Sequence, residues 1–198
     1  MTSGQSLDSS TDVLVVVDVQ NDFLPGGALG VPLGNDILPG LYKFIQQARD
    51  HSIPVAATRD WHPTNHVSFK ARDGPWPPHC VRETKGAEFP DGFPVYNIGS
   101  NLAILKGTTA DKDAYSGFDG TDLDVQLKQL NVRRVFVCGI ATEYCVLATA
   151  QDAHKLGYEV FVLEDLISAV EPERTDEILS VMRQEGINIL STQDAQFL

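Results

Sequence analysis

Short, densely apolar runs recur along the chain, each followed by a stretch of helical periodicity. Val13–Asp18 reads VLVVVD. A β-branched run with no polar alternation belongs to a strand buried on both faces, as in a parallel sheet covered by helices. Pro54–Arg59 (PVAATR), Asn101–Lys106 (NLAILK), Arg134–Cys138 (RVFVC), Glu159–Leu163 (EVFVL) and Ile187–Leu190 (INIL) repeat the pattern. Between them, Ile37–Asp50, Thr121–Leu130, Thr142–Leu156 and Glu173–Gln184 read as helices. In the first of these, Leu38, Leu41, Phe44, Ile45 and Ala48 share one face, and Pro39 fits only the first turn. The alternation predicts an α/β fold: three α-β-α layers around a six-stranded, mostly parallel, doubly wound sheet. Right-handed crossovers reduce the topology to a few strand orders.

Two long stretches fall outside this rhythm. Asn21–Asn35 is punctuated by glycine and proline, and Asp60–Tyr96 is long, irregular and Pro/Gly-rich. A loop that long inside a compact domain is usually functional. Residues 1–11 read as a flexible polar tail, without the basic and apolar regions of a secretory signal. Residues 12–198 read as a single domain, with no repeat or linker to divide it.

Charge narrows the function classes. Asp and Glu number 27 against 15 Lys and Arg, a net charge of −12. Nucleic-acid binding rests on cationic neutralisation of phosphates, so no nucleic-acid partner is expected. No membrane association is expected either: an acidic surface is repelled by anionic lipid. The longest apolar run, Val13–Val17, is far short of the roughly 20 residues of a span. Three cysteines, Cys80, Cys138 and Cys145, are too few for a disulfide framework. They point to a reducing, cytoplasmic setting.

In open α/β sheets, reactive groups gather beyond the carboxyl ends of the strands. Those ends are Asp18, Asp60, Lys106 and the segment Gly139–Cys145. Two acids, a lysine and a thiol therefore share one rim. Cys145 sits where a helix begins, where free N–H groups favour a thiolate and can bind an oxyanion. Its plainer alternative is a small buried apolar residue; that of Asp18 is a turn or cap. Cys80 and Cys138 read as structural. Asp60 and His62 alternate on an extended segment and face one way, and His79 returns after Trp76-Pro77-Pro78. One carboxylate and two imidazoles suit zinc, iron or manganese and leave open positions. The alternative is that both histidines are loop surface. His66 is either a fourth ligand or a loop brace, and His51 and His154 look solvated.

These residues lie in stretches that resemble a known family. They are Asp18–Phe23 (DVQNDF), Arg59–Pro63 (RDWHP), Gly74–Cys80 (GPWPPHC), Lys106-Gly107, Tyr115–Phe118 (YSGF) and Gly139–Val146 (GIATEYCV). Together, in this order, they resemble nicotinamidases, amidases of the isochorismatase-like cysteine hydrolase superfamily. The resemblance implies an isochorismatase-like domain with a catalytic triad of Asp18, Lys106 and Cys145. It implies a metal held by Asp60, His62 and His79, most simply zinc, with iron or manganese as alternatives. It implies a cis Ile140–Ala141 bond that turns the Ala141 and Cys145 amides into an oxyanion hole. Phe23 and Trp76 would sandwich the substrate ring, and Tyr115 and Ala141 would line its pocket. The implied reaction is hydrolysis of nicotinamide to nicotinate and ammonia through a cysteine thioester, in NAD salvage. Pyrazinamide would be accepted as an isostere, and a homo-oligomer is compatible with the family. Some relatives carry an extra glutamate ligand where this chain has Lys70-Ala71-Arg72-Asp73, which leaves water or His66 for the fourth position. The competing reading is another amide or carbamoyl-amide hydrolase of the superfamily. Those enzymes generally lack the metal triad.

Overall fold

The computed structural model describes residues 5–94 and 102–198. The strands are β1 (Gln5–Leu7), β2 (Asp12–Val17), β3 (Val55–Asp60), β4 (Leu102–Lys106), β5 (Arg134–Ile140), β6 (Glu159–Ser168), β7 (Asn188–Leu190) and β8 (Ala195–Phe197). The α-helices are α1 (Leu38–Asp50), α2 (Leu123–Gln129), α3 (Leu147–Lys155) and α4 (Thr175–Gln184). Six strands form one sheet in the order β4-β3-β2-β5-β6-β7, and every pairing in it is parallel. The expected architecture is therefore present, with all six central strands parallel.

The sequence of β2 explains its central place. All six of its residues are buried. Val13, Val15 and Val17 pack on one face with Leu123, Leu127, Ala150, Ala153, Ile178 and Met182, so α2, α3 and α4 cover that side. Leu14 and Val16 pack on the other with Leu41, Phe44, Ile45 and Ala48 of α1. Each fully buried valine or leucine contributes about 1.5–3 kcal/mol over exposure. Each helix stops at a left-handed residue: Ser52, Asn131, Gly157 or Gly186. After each of the four a backbone N–H returns to the last turn, as from Ile53 to Ala48 at 2.8 Å. Pro39 occupies the first turn of α1, as the sequence requires. No helix of the described residues is long and apolar enough to cross a membrane.

Beyond shifts of one or two residues at element ends, three features differ from the sequence reading. The stretch read as a flexible polar tail is structured from Gln5 onward. β1 pairs in parallel with β8, Gln5 opposite Ala195 and Leu7 opposite Phe197, and Leu7 is fully buried against the α1 face. A three-residue strand carrying one apolar side chain has no periodicity to read, and its partner lies at the other end of the chain. β6 continues past Leu163 to Ser168. The exposed Glu164 and Asp165 interrupt its apolar pattern at a register shift, where Val137 pairs with Val162 but Gly139 with Ile167. The helix after β5 opens with a π-helical turn, Thr142–Val146, before α3. Tyr96 and Asn101, the expected ends of the long loop and of the third strand, lie outside the described residues.

Candidate active site

Strand order reverses between β2 and β5, which lie side by side while their connections run to opposite edges. A crevice at that switch point is where open α/β sheets bind ligands. Asp18 leaves β2 there with φ +48, a conformation that costs a non-glycine residue free energy and marks sites where the surroundings enforce it. Thr58 of β3 supplies part of that enforcement. Its hydroxyl donates to Asp18 Oδ1 at 2.6 Å, and its carbonyl accepts from the Asp18 amide at 3.2 Å.

Lys106, at the end of β4, is the hub. Its side chain is fully buried, with Nζ 2.8 Å from Asp18 Oδ2, 2.5 Å from Asp60 Oδ1, 3.0 Å from the Ala114 carbonyl and 3.4 Å from Cys145 Sγ. A buried ammonium is costly unless paired; here two carboxylates compensate it. Burial alone would pull its pKa down, but Asp18 and Asp60 hold it well above the ordinary lysine value. The two acids diverge. Burial outweighs Lys106 at Asp18 and raises its carboxyl. At Asp60, Lys106 and His62 outweigh burial and hold the group well below the usual carboxylate range.

Cys145 is 6% exposed. Burial pushes its thiol well up, Lys106 opposes this, and Asp18 and Asp60 add to the rise. This differs from the thiolate expected at a helix start. One ammonium and a single π-helical turn do not outweigh desolvation beside two carboxylates. The peptide bond Ile140–Ala141 is cis, and the Ala141 carbonyl accepts from the amides of Tyr144 and Val146, both at 3.1 Å.

Asp60, His62 and His79 are all buried, and each offers a ligand atom within 4.8 Å of the others. His62 Nδ1 donates to the Gly107 carbonyl at 2.9 Å and His79 Nδ1 to the Pro77 carbonyl at 2.8 Å. A carbonyl only accepts, so both Nδ1 atoms carry a proton and Nε2 is the nitrogen each ring has left to offer a metal. His62 Nε2 lies 3.5 Å from Asp60 Oδ2. A carboxylate oxygen and two imidazole nitrogens with outer-shell partners form the donor set of a divalent metal site. Gly107 makes room for it. Its φ is +60, and a Cβ there would run into the His62 ring. His66 stacks on His62 with ring centroids 4.0 Å apart. Its Nδ1 lies 2.7 Å from Ser68 Oγ and its Nε2 3.1 Å from the Lys112 carbonyl. Both nitrogens are thus engaged, as a loop brace requires, while its ring also lies with His62 and Asp113 in a second group of potential ligand atoms.

Beside these groups lies a pocket lined by Phe23, Trp76, His79, Tyr115, Tyr144 and Val170 together with Asp60, Ala141 and Cys145. Trp76 is fixed edge-on: its indole N–H donates to Tyr115 Oη at 3.0 Å and its ring meets Tyr144 at 86°. Every residue singled out by sequence as catalytic, metal-ligating or substrate-binding thus converges here, together with Thr58 and Tyr144, which sequence reasoning did not select. Tyr144 had a signal, being next to Cys145; Thr58 had only its polarity inside an apolar strand. Cys80 and Cys138 are buried and unbridged. Burial raises the pKa of both, and Cys138 points to the Val15 carbonyl at 3.7 Å. His51 and His154 are exposed, as expected.

This arrangement of a lysine, two acids and a thiol at the rim of a parallel sheet defines a class of α/β hydrolytic domain. The isochorismatase domain model matches residues 12–194, and the chain belongs to the isochorismatase family. Its similarity runs to particular members. It is 38% identical to the nicotinamidase/pyrazinamidase of Mycobacterium tuberculosis, over 89% of this chain and 97% of that one. The pyrazinamidase of Pyrococcus horikoshii, solved in complex with zinc, is 48% identical, with a TM-score of 0.86 over 91% of this chain and 98% of that one. An L. infantum protein solved in complex with nicotinate is 39% identical, with a TM-score of 0.88 over 98% of both chains.

Proposed function

We propose that this protein is a nicotinamidase, which hydrolyses nicotinamide to nicotinate and ammonia through a thioester on Cys145 and serves NAD salvage in the cytoplasm. The observation that carries the reading is the position of Lys106. One buried ammonium reaches Asp18, Cys145 and Asp60 together, so thiol, base and metal-binding carboxylate form one charge-compensated cluster beneath an aromatic slot.

In this reading the pyridine ring lies between Phe23 and Trp76, against Tyr115. Asp18, its carboxyl raised by burial, accepts the Cys145 proton; a base tuned toward the working pH is the efficient one. Lys106 stays charged and offsets the carboxylates throughout. Sγ attacks the amide carbon, and the oxygen takes the negative charge against the Ala141 and Cys145 amides. The carbon–nitrogen bond breaks as Asp18 returns the proton, and ammonia leaves. Water, deprotonated by Asp18, attacks the thioester; the carbon–sulfur bond breaks, the thiol is restored and nicotinate departs. Removing one oxyanion donor costs about 10²–10³ in rate in comparable hydrolases. Asp60, His62 and His79 would hold one divalent ion, for which zinc is the first choice and iron or manganese the alternatives. When bound, it supplies a Lewis-acid contact for the pyridine nitrogen and so fixes the ring. Pyrazinamide presents the same ring nitrogen and amide and is the expected second substrate.

The test is ammonia release by the purified, zinc-loaded protein across a panel of nicotinamide, pyrazinamide and carbamoyl amides. Turnover of nicotinamide that disappears in Cys145→Ala is the expected result. Release from the carbamoyl amides alone would overturn the reading.

A further inference from the structure

The DVQNDF stretch supplies Asp18 and Phe23 to the site, but the three residues between Val19 and Phe23 have no part in the chemistry above. All three reach across to the loops of the metal centre. Gln20, fully buried, donates from Nε2 to the Asp60 carbonyl at 2.8 Å and the Ala87 carbonyl at 2.9 Å, and accepts from the Asp60 amide at 2.8 Å. The Asn21 amide donates to the Glu88 carbonyl at 2.9 Å. Asp22 Oδ2 accepts from the Cys80 amide at 2.8 Å.

The last of these contacts falls at an unusual place. Cys80 follows the metal ligand His79 directly and has φ +45, a left-handed conformation that a non-glycine residue keeps only when its surroundings impose it. The Cys80 carbonyl in turn accepts from the His62 amide at 3.0 Å, so the same turn is tied to two ligand-bearing segments. Asp22 also holds the pocket side. Its carbonyl accepts from the Leu29 amide at 2.9 Å, and its neighbour Phe23 packs on the His79 ring at 5.6 Å between centroids. Gly86 completes the arrangement: a Cβ there would collide with the Asp22 carboxylate.

We infer that Asp22 is the positioning residue that latches the His79–Cys80 turn of the metal centre to the Phe23 loop, and that Gly86 is glycine to leave room for its carboxylate. Asp22 touches neither metal nor substrate; it acts through the backbone of Cys80 on the direction of the His79 ring. The inference rests on the Asp60–His62–His79 reading of the metal site.

The experiment measures zinc affinity of the full-length protein by competition with a chromogenic chelator, with apo-protein melting recorded alongside. Loss of outer-shell partners costs about 10–100-fold in metal affinity, and Asp22→Ala is expected to fall in that range. Asp22→Asn, which keeps an acceptor oxygen for the Cys80 amide, should bind close to wild type. Gly86→Ala should weaken zinc by displacing the carboxylate, and should have no further effect in the Asp22→Ala background. If Asp22→Ala does not fold, the contrast between Asp22→Asn and Gly86→Ala carries the test. Unchanged zinc affinity in Asp22→Ala, or in Gly86→Ala alone, would overturn the latch, as would an equal loss from Gly86→Ala in both backgrounds. His79→Ala separates the two levels. If it binds zinc like wild type, the metal site itself is wrong; if it loses zinc while the latch variants do not, only the latch is wrong.

Discussion

Lys106 concentrates the energetics of the site in one side chain. Removing it as Lys106→Met leaves Asp18 and Asp60 buried, close and without a cation. Breaking a buried ion pair from one side costs about 3–5 kcal/mol, and urea unfolding at neutral pH should show a loss of that order together with loss of turnover. The sign of its pH dependence follows from Asp60. Its folded pKa is depressed in the intact protein, so its contribution is present above the unfolded value and disappears as pH falls through the folded one. The gap between wild type and Lys106→Met should therefore narrow in acid. Asp18 behaves oppositely. Burial raises its carboxyl, so the acid limb of kcat/KM should fall above the ordinary aspartate value of about 3.9. Because burial and the two neighbouring carboxylates raise the Cys145 thiol, its alkylation by iodoacetamide in the substrate-free protein should be slow at neutral pH and accelerate in alkali.

At the scale of elements, the end of β5 is the most constrained stretch. Gly139 has φ +116, and a Cβ there would enter the Val17 backbone of β2. Close strand approach at this point lets β5 hand over to the turn that carries Cys145. Gly139→Ala combines overpacking with a disfavoured backbone and should cost roughly 2–4 kcal/mol, read as a lowered melting temperature with turnover reduced in the fraction that folds. The strands themselves were legible because runs such as VLVVVD and RVFVC admit little but a doubly buried strand. The rim was legible because strand polarity alone places Asp18, Asp60 and Lys106 together. The far half of β6 was not, because Glu164 and Asp165 face solvent at a register shift and erase the apolar run. Nor was the π-helical turn, whose hydrogen bonding has no residue code. Thr58 was missed because its role depends on an Asp18 conformation that no local pattern announces.

Over the whole molecule, the two ends of each central strand do different work. The carboxyl ends carry the pocket, while the amino ends of β2 and β5 are tied to the β1 segment. Arg134, at the start of β5, grips Asp12 through two hydrogen bonds at 2.7 and 2.5 Å and donates to the Ser6 carbonyl at 2.7 Å. That anchor is separated from the catalytic rim by the length of β5, about 20 Å at 3.3 Å per residue. Deleting residues 1–7 exposes the face that Leu7 covers and should cost at least the burial of one leucine, about 1.5–3 kcal/mol, seen as a shifted urea midpoint. Turnover per folded molecule should be unchanged, since no group of the pocket depends on β1.

The division of Asp60 between two neighbours also has a thermodynamic consequence. One of its oxygens faces Lys106 and the other faces His62, so the same carboxylate belongs to the thiol cluster and to the ligand set. Sites joined by a shared charge are coupled, and coupling between binding equilibria is reciprocal. On the proposed mechanism, whatever factor an ion at Asp60, His62 and His79 imposes on the acylation equilibrium at Cys145, acylation imposes on the ion. In that reading, metal loading and the acylation equilibrium share one coupling free energy, measurable from either side.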